Sequence, residues 1–265
     1  SGHPGAPLGL APAAHILWSK YLEYAPNWIN RDRFVLSCGH ASALYYSLLH
    51  IHSNILSIDD LKQFRQYKSR TPGHPEHHML KEVEVTTGPL GQGISNAVGL
   101  SVAAHFIAAK FNKPDIELFN HKVWVIASDG DMMEGISSEA ASFAGHQKLD
   151  NLIVFYDCNH ITIDGNTDIT FTEDVAARFR SFGWYTLKVK NANEDFKEIE
   201  STINKALKVK DQPVLIVLNT TIGYGSVMAD TPKVHGSPLN DEQLAAIKKK
   251  FGFNPDEFFK VPKEV

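Results

Sequence analysis

Two uninterrupted apolar runs organise the middle of the chain. Val123-Trp124-Val125-Ile126-Ala127 and Leu152-Ile153-Val154-Phe155-Tyr156 both read as buried strands. The first ends in Ser128-Asp129-Gly130-Asp131 and leads into a helical pattern carrying Glu134 and Glu139. The second ends in Asp157-Cys158-Asn159-His160-Ile161. Upstream, a helix-period stripe of Leu10, Ala13, Ala14, Leu17, Trp18 and Tyr21 precedes a loop over 26–33. A short strand over 34–37 and a helix over about 41–52 follow. Ser57-Ile58-Asp59-Asp60 reads as an N-cap and first turn for a helix carrying Leu61 and Phe64. Residues 68–91 form a long loop rich in Gly and Pro, a length that usually signals function or disorder. Residues 92–111 form a helix of many small residues, able to pack closely against another helix in this chain or a partner. Downstream, helices are expected over 173–182, 193–208 and 241–251, strands over 184–189 and 214–219, and a second Gly/Pro-rich loop over 221–239.

Strands alternating with helices imply an α/β domain, an open and mostly parallel sheet with helices on both faces. With no internal repeat or low-complexity linker, the whole chain reads as one domain. Ligands of such sheets bind outside the carboxyl ends of the strands. Both central strands would therefore deliver oxygen-rich tips to one edge. Asp129 offers a carboxylate, Asn159 an amide oxygen, and tight turns leave carbonyls free. Mg²⁺ takes one or two protein carboxylates and fills its other positions with phosphate and water, so this set suits a metal bridging to a diphosphate. It suits a soft metal poorly, because no Cys/His pair has ligand spacing here. The same residues would also serve as a turn and a strand-end cap.

Composition narrows the classes. The chain has 265 residues, 43% of them hydrophobic, enough for one large domain with a core. A net charge of −4 leaves no basic footprint for nucleic acid, and Lys248-Lys249-Lys250 reads as a solvated helix end. No apolar run approaches a membrane span in length. Cys38 and Cys158 form neither a disulfide framework nor a metal motif, so reduced thiols and a cytoplasmic location are expected. The sequence opens at Ser1 without methionine, which leaves room for a removed leader such as an organellar transit peptide. Of 13 histidines, His3, His40, His74 and His235 sit in Gly/Pro-rich segments where sites are commonly built. His15, His50, His52, His105, His121 and His146 lie in or beside regular segments and read as structural, and His77 and His78 receive no role.

The segment Asp129-Gly130, then Glu134-Gly135-Ile136-Ser137-Ser138-Glu139-Ala140, then Asn159, resembles the thiamine-diphosphate-binding signature. More narrowly the chain resembles the transketolase family. The likeness includes Ser1-Gly2-His3-Pro4-Gly5-Ala6-Pro7, Phe34-Val35-Leu36-Ser37-Cys38-Gly39-His40 and Arg70-Thr71-Pro72-Gly73-His74-Pro75-Glu76. It continues through Thr87-Gly88-Pro89-Leu90-Gly91-Gln92-Gly93, Gly223-Tyr224-Gly225-Ser226 and Val234-His235-Gly236. A Rossmann reading is weaker, because Gly88-Pro89-Leu90-Gly91-Gln92-Gly93 does not fit the spaced glycine fingerprint.

The resemblance implies residues 1–265 as the diphosphate-binding domain and thiamine diphosphate with Mg²⁺ (or Ca²⁺) as cofactors. It implies His3 near the reacting carbon and His235 in contact with cofactor and substrate. It implies His40, Gly88, Leu90, Gly130 and Asn159 as cofactor contacts, and His74 as a contact to the donor's terminal hydroxyl. Asp129, Asn159 and the Ile161 carbonyl match the metal ligands. Glu134 and Glu139 have the spacing of an acid/base pair or of exposed helix charges; the resemblance implies dimer-interface glutamates coupling two cofactor sites. Three positions depart from the common pattern, Ser128, Cys158 and His160, and bear on fine geometry.

The implied reaction moves a two-carbon ketol unit from a ketose phosphate such as xylulose 5-phosphate to an aldose phosphate such as ribose 5-phosphate, in the pentose phosphate pathway. The family's activating glutamate and its phosphate-gripping basic residues lie in a second, pyrimidine-binding domain. This chain is expected to need that domain from a homodimer partner or a complementing chain, and to have little activity without it. The alternatives are a related ketol transferase such as dihydroxyacetone synthase, or a non-catalytic cofactor-binding fragment. No nucleic-acid or membrane partner is expected.

Overall fold

The computed structural model describes residues 2–265; Ser1, the first residue of the opening motif, lies outside the described residues. Five strands form one sheet in the order β1-β2-β3-β5-β4, every pair parallel. They are β1 (Arg33–Leu36), β2 (Val123–Ser128), β3 (Leu152–Cys158), β4 (Tyr185–Val189) and β5 (Val214–Asn219). The helices are α1 (Gly5–Lys20), α2 (Ser42–Ser53), α3 (Ile58–Lys62), α4 (Gln92–Phe111), α5 (Asp129–Met133), α6 (Gly135–His146), α7 (Val175–Ser181), α8 (Phe196–Ala206), α9 (Lys233–Gly236) and α10 (Asp241–Lys250).

Strand side chains alternate between faces, and the register keeps the alternation in step across the sheet. Phe34, Trp124, Ile153 and Val214 are aligned and enter one core, together with Leu10 and Leu17 of α1, Tyr45 and Leu49 of α2, and Ile199 and Ile203 of α8. Their neighbours Val35, Val125, Val154 and Leu215 enter the other, against Ile94 and Ala97 of α4, Ala141 and Ala144 of α6, and Val175 and Phe179 of α7. Both faces are covered, so the central strands are continuously apolar rather than alternating.

Local chemistry sets several boundaries. The capping box expected at Ser57 forms, with the Asp60 N–H donating to Ser57 Oγ at 3.1 Å and the Ser57 N–H to Asp60 at 2.8 Å. The helix expected from 193 begins instead at Phe196, because Asp195 caps it by accepting the Glu198 N–H at 2.8 Å. Asn193 is thereby left to join two distant segments. Its amide donates to the Gly9 carbonyl at 2.8 Å and its oxygen accepts the Thr221 N–H at 2.7 Å. The loop expected over 221–239 contains the short helix α9.

Two further expectations are corrected. β3 continues through Asp157 and Cys158, which pair with Leu218 and Asn219, because ladder hydrogen bonding outlasts the apolar run. And α4 reaches the length and apolar content of a membrane span, although no such stretch was expected. Its inner face packs on the sheet through Ile94, Ala97 and Val98, while Val102 and Phe106 are exposed.

Gly145 in α6 marks the closest approach in that layer. A β-carbon there would lie 1.8 Å from the Phe182 carbonyl oxygen and 2.8 Å from its carbon. Both are backbone atoms, so no rotamer relieves the clash. Helix propensity alone favours alanine over glycine by about 1 kcal/mol. Overpacking of this severity costs about 3 kcal/mol, so Gly145→Ala is expected to be net destabilising. A denaturant midpoint at or above that of the parent would show that the 182–184 turn can retreat.

Candidate active site

Asp131 ties the carboxyl edge of the sheet together. Its carboxylate is fully buried and accepts the Ser37 hydroxyl at 2.6 Å, the Gly91 N–H at 2.8 Å, the Ser128 N–H at 2.8 Å and the Ser128 hydroxyl at 3.1 Å. One side chain thus joins the ends of β1 and β2 to the start of α4. Burial raises its pKa, and the four donors oppose that rise. Asp131 has no role in the sequence reading, although Ser128 and Asp131 carry the spacing of a capping box. The departure at Ser128 is thereby explained, because its hydroxyl serves this network.

Asp129 and Asn159 stand at the tips of β2 and β3. The Asp129 carboxylate is buried and accepts the Tyr156 hydroxyl, the His160 N–H at 2.9 Å and the Asn159 N–H at 3.3 Å. Burial raises its pKa, again against those donors. The Asn159 amide donates to Asp157 at 2.8 Å, and its oxygen accepts the Ile161 N–H at 3.0 Å. The bridge between Ile161 and Asn166 is closed by their neighbours, Thr162 to Gly165 and Thr167 to His160, which leaves the Ile161 carbonyl available. One carboxylate, one amide oxygen and one carbonyl form a mixed donor set that fits a hard cation. Among the described residues no group of three or more His, Cys, Asp and Glu is placed to hold a metal. Asp157, buried next to these donors, is pushed up to about 7 by burial and then by the Asp129 charge.

A cavity of about 350 Å³ opens over these tips, lined also by His3, His40, His74 and His235. The His3 ring centroid is 5.3 Å from His40, 5.7 Å from His235 and 6.3 Å from His74, and His40 stacks on His235 at 5.1 Å. Four segments far apart in sequence therefore meet: the stretch before α1, the turn after β1, the long loop and α9. Gly88, with φ of +154°, passes beside His74, and Gly130 lies so close to Leu90 that a β-carbon would sit 2.7 Å from its Cδ1. All ten sequence-assigned site residues are gathered here: His3, His40, His74, Gly88, Leu90, Asp129, Gly130, Asn159, Ile161 and His235.

The imidazoles are held neutral. Burial, then the neighbouring His235, lowers His3 to about 4 and His40 to about 3. Burial also lowers His74 and His235. The Nδ1 atoms of His3 and His235 are buried with no hydrogen-bond partner among the described residues. Arg65 escaped the sequence reading because no motif marks it. Its guanidinium lies against Gly73 and contributes to lowering both His3 and His74. Glu134 is exposed and lines the cavity; Glu139 is exposed on α6.

The depressed histidines make stability depend on pH. Between about 6.5 and about 4 the unfolded chain binds protons that folded His3 refuses. Their contribution is complete above pH 6.5 and is lost as pH falls through that window. The melting temperature is expected to drop between pH 7 and 5, and by less in His40→Gln. An identical drop in both would assign the acid sensitivity elsewhere.

His50 and His77 donate through Nδ1 to the Leu56 carbonyl at 2.7 Å and the Val83 carbonyl at 2.6 Å, and His121 is buried against Asn30. Cys158 and His160 face away, with Cys158 Sγ 3.5 Å from His160 Nε2. Both line a larger neighbouring cavity of about 480 Å³ that reaches Asp129 from the other face of β3 but holds none of the four histidines.

Residues 1–265 match a family model described as transketolase, thiamine diphosphate binding domain. Transketolase 1 of Saccharomyces cerevisiae is 59% identical over all of this chain and 39% of its own length. The chloroplastic transketolase of Solanum tuberosum is 53% identical over all of this chain and 36% of its own length. Among solved structures, a transketolase from Leishmania mexicana superposes with a TM-score of 0.98 at 48% identity, covering 100% of this chain and 40% of that one. A transketolase from Pichia stipitis in complex with sedoheptulose 7-phosphate gives 0.97 at 52% identity, covering 100% and 39%. The chain spans about two-fifths of the length of most of these relatives.

Proposed function

The chain belongs to the transketolase family through its thiamine-diphosphate-binding domain, and from that premise we propose that it supplies the diphosphate-and-metal half of a ketol-transferring active site. The observation that carries this reading is a single cavity with hard oxygen donors at one end and four neutral imidazoles around it. Asp129, Asn159 and the Ile161 carbonyl would hold Mg²⁺ or Ca²⁺, leaving positions for phosphate oxygens and water. Gly130 and Asn159 would meet the diphosphate, with His40, Gly88 and Leu90 along the rest of the cofactor. When bound, thiamine diphosphate supplies the carbon that attacks the ketose carbonyl and carries the two-carbon unit from donor to acceptor.

The chain's own contribution is binding, orientation and proton traffic. His3 and His235 would face the reacting atoms. A neutral imidazole can take a proton from a substrate hydroxyl on its free nitrogen and return it to the product. His74 would donate to a terminal hydroxyl of the donor, with the Arg65 cation beside it. Transketolases of Pichia stipitis have been solved with sedoheptulose 7-phosphate, xylulose 5-phosphate and fructose 6-phosphate, and sugar phosphates are the substrate class proposed for this chain.

Residues 1–265 form the diphosphate-binding domain in this reading, and a pyrimidine-binding domain from a second copy or a complementing chain completes the site. The exposed Met133, Ile136 and Phe143 surround Glu134 and Glu139 and suit a dimer contact. The test is a coupled ketol-transfer assay with thiamine diphosphate, Mg²⁺, xylulose 5-phosphate and ribose 5-phosphate. The chain is assayed alone and with a separately produced pyrimidine-domain half of a transketolase. Turnover only in the mixture supports the reading. Turnover by the chain alone would show that the activating acid lies within it. Cofactor binding without turnover in either would favour a binding module.

A further inference from the structure

Tyr156 and Asp157 are neighbours at the end of β3, and strand alternation sends them to opposite faces of the sheet. Tyr156 opens on the larger cavity and Asp157 on the histidine-lined one. Each holds a different oxygen donor. The Tyr156 hydroxyl donates to Asp129 Oδ1, while Asp129 Oδ2 takes the His160 N–H at 2.9 Å. Asp157 Oδ2 accepts from Asn159 Nδ2 at 2.8 Å, and Asp157 Oδ1 accepts the Thr220 hydroxyl. We infer that Tyr156 and the Asp157–Thr220 pair are positioning residues that orient Asp129 and Asn159 toward a hard cation. The inference rests on the reading of those two residues as metal ligands.

Asn159 shows why positioning matters. Its amide has an oxygen end that ligates a hard cation and an NH₂ end that repels one, and the two are nearly equal in size. Asp157 is an acceptor facing the amide, so only one orientation satisfies it: NH₂ toward Asp157 and oxygen toward Ile161. Thr220, just beyond β5, fixes the carboxylate from the other side. A buried carboxylate is costly to fold compared with an apolar residue of the same shape, and Asp157 is 1% exposed with a strand paired on either side of it. Packing alone does not call for a charge there, whereas orienting a ligand does. Groups that hold metal ligands in place typically contribute 10–100-fold to metal affinity.

The experiment uses the complete protein, with Mg²⁺ titrated at fixed thiamine diphosphate and read by calorimetry, and with apo melting temperature measured in parallel. Asp157→Leu removes the acceptor, so the amide is free to turn. Its apparent Mg²⁺ affinity is expected to fall about 10–100-fold, and the apo protein to melt lower only by what the Asn159 NH₂ and Thr220 hydroxyl lose with their acceptor. Asp157→Asn keeps an oxygen for the Asn159 NH₂ and is expected to restore most of the affinity. Tyr156→Phe frees one Asp129 oxygen and is expected to weaken binding about tenfold, at the lower end of that range. Thr220→Val stands in if Asp157→Leu does not fold. A merely structural role would lower the melting temperature and leave Mg²⁺ affinity of the folded protein intact. Variants within twofold of a parent that needs Mg²⁺ to hold the cofactor would overturn the inference alone. A parent that holds the cofactor without Mg²⁺ would overturn the metal-site reading, and the inference with it.

Discussion

An Asp131→Ala variant is expected to lose about 2–6 kcal/mol of stability, because two buried backbone N–H groups lose their acceptor and each such loss costs about 1–3 kcal/mol. Those groups belong to Gly91 and Ser128, and the Ser37 and Ser128 hydroxyls lose the same partner. The damage is local before it is global. The start of α4, the end of β1 and the end of β2 are no longer joined, and these carry or adjoin Leu90, His40 and Asp129. For a domain of this size the melting temperature is expected to drop on the order of 10 °C. Asp131→Asn keeps one acceptor oxygen and is expected to fall between the two. Thermal or chemical denaturation settles it: an Asp131→Ala protein as stable as its parent would mean that water replaces the carboxylate without cost.

The second large effect is on cofactor retention. In the proposed metal site Asp129 is the one charged ligand. Removing one partner of a buried charge pair costs about 3–5 kcal/mol. At about 1.4 kcal/mol per tenfold, this corresponds to roughly a hundred- to a few-thousandfold in apparent Mg²⁺ affinity. Asp129→Ala also strands the Tyr156 hydroxyl and the His160 N–H, so part of its effect is structural. Asp129→Asn isolates the charge, since its amide oxygen can still accept and still ligate. Calorimetric Mg²⁺ titration with thiamine diphosphate present is the measurement. An Asp129→Asn protein within threefold of the parent would remove Asp129 from the metal site.

These two aspartates are separated by one residue yet differ in how they could be found. Asp129 stands at the end of an apolar run, the place where an open α/β sheet puts its ligands, and belongs to a motif. Asp131 points back into the protein, and its partners Ser37 and Gly91 lie far away in the chain. The strands over 123–127, 152–156 and 214–219 were legible because continuous apolar runs of that length are buried on both faces. Their ends were less so. Asp157 and Cys158 are polar, yet they stay in β3 because the ladder to β5 is made by backbone groups that ignore side-chain polarity. The start of α8 was misplaced by three residues for a similar reason: both Asn193 and Asp195 are cap-type residues, and only packing against Gly9 and Thr221 decided between them.

From sequence alone come the α/β class and the parallel sheet, which follow from local periodicity, and the family resemblance with its candidate site residues, which rests on short motifs. Tertiary structure alone decided which distant groups meet. It brings His3, His40, His74 and His235 within one cavity, lowers their proton affinity by burying them together, and aligns Tyr156, Asp157 and Thr220 behind the oxygen donors. The physical reason is that a parallel sheet collects the carboxyl ends of strands from across the chain on one edge, and hydrogen bonds, burial and electrostatic shifts depend on distances that sequence spacing does not contain.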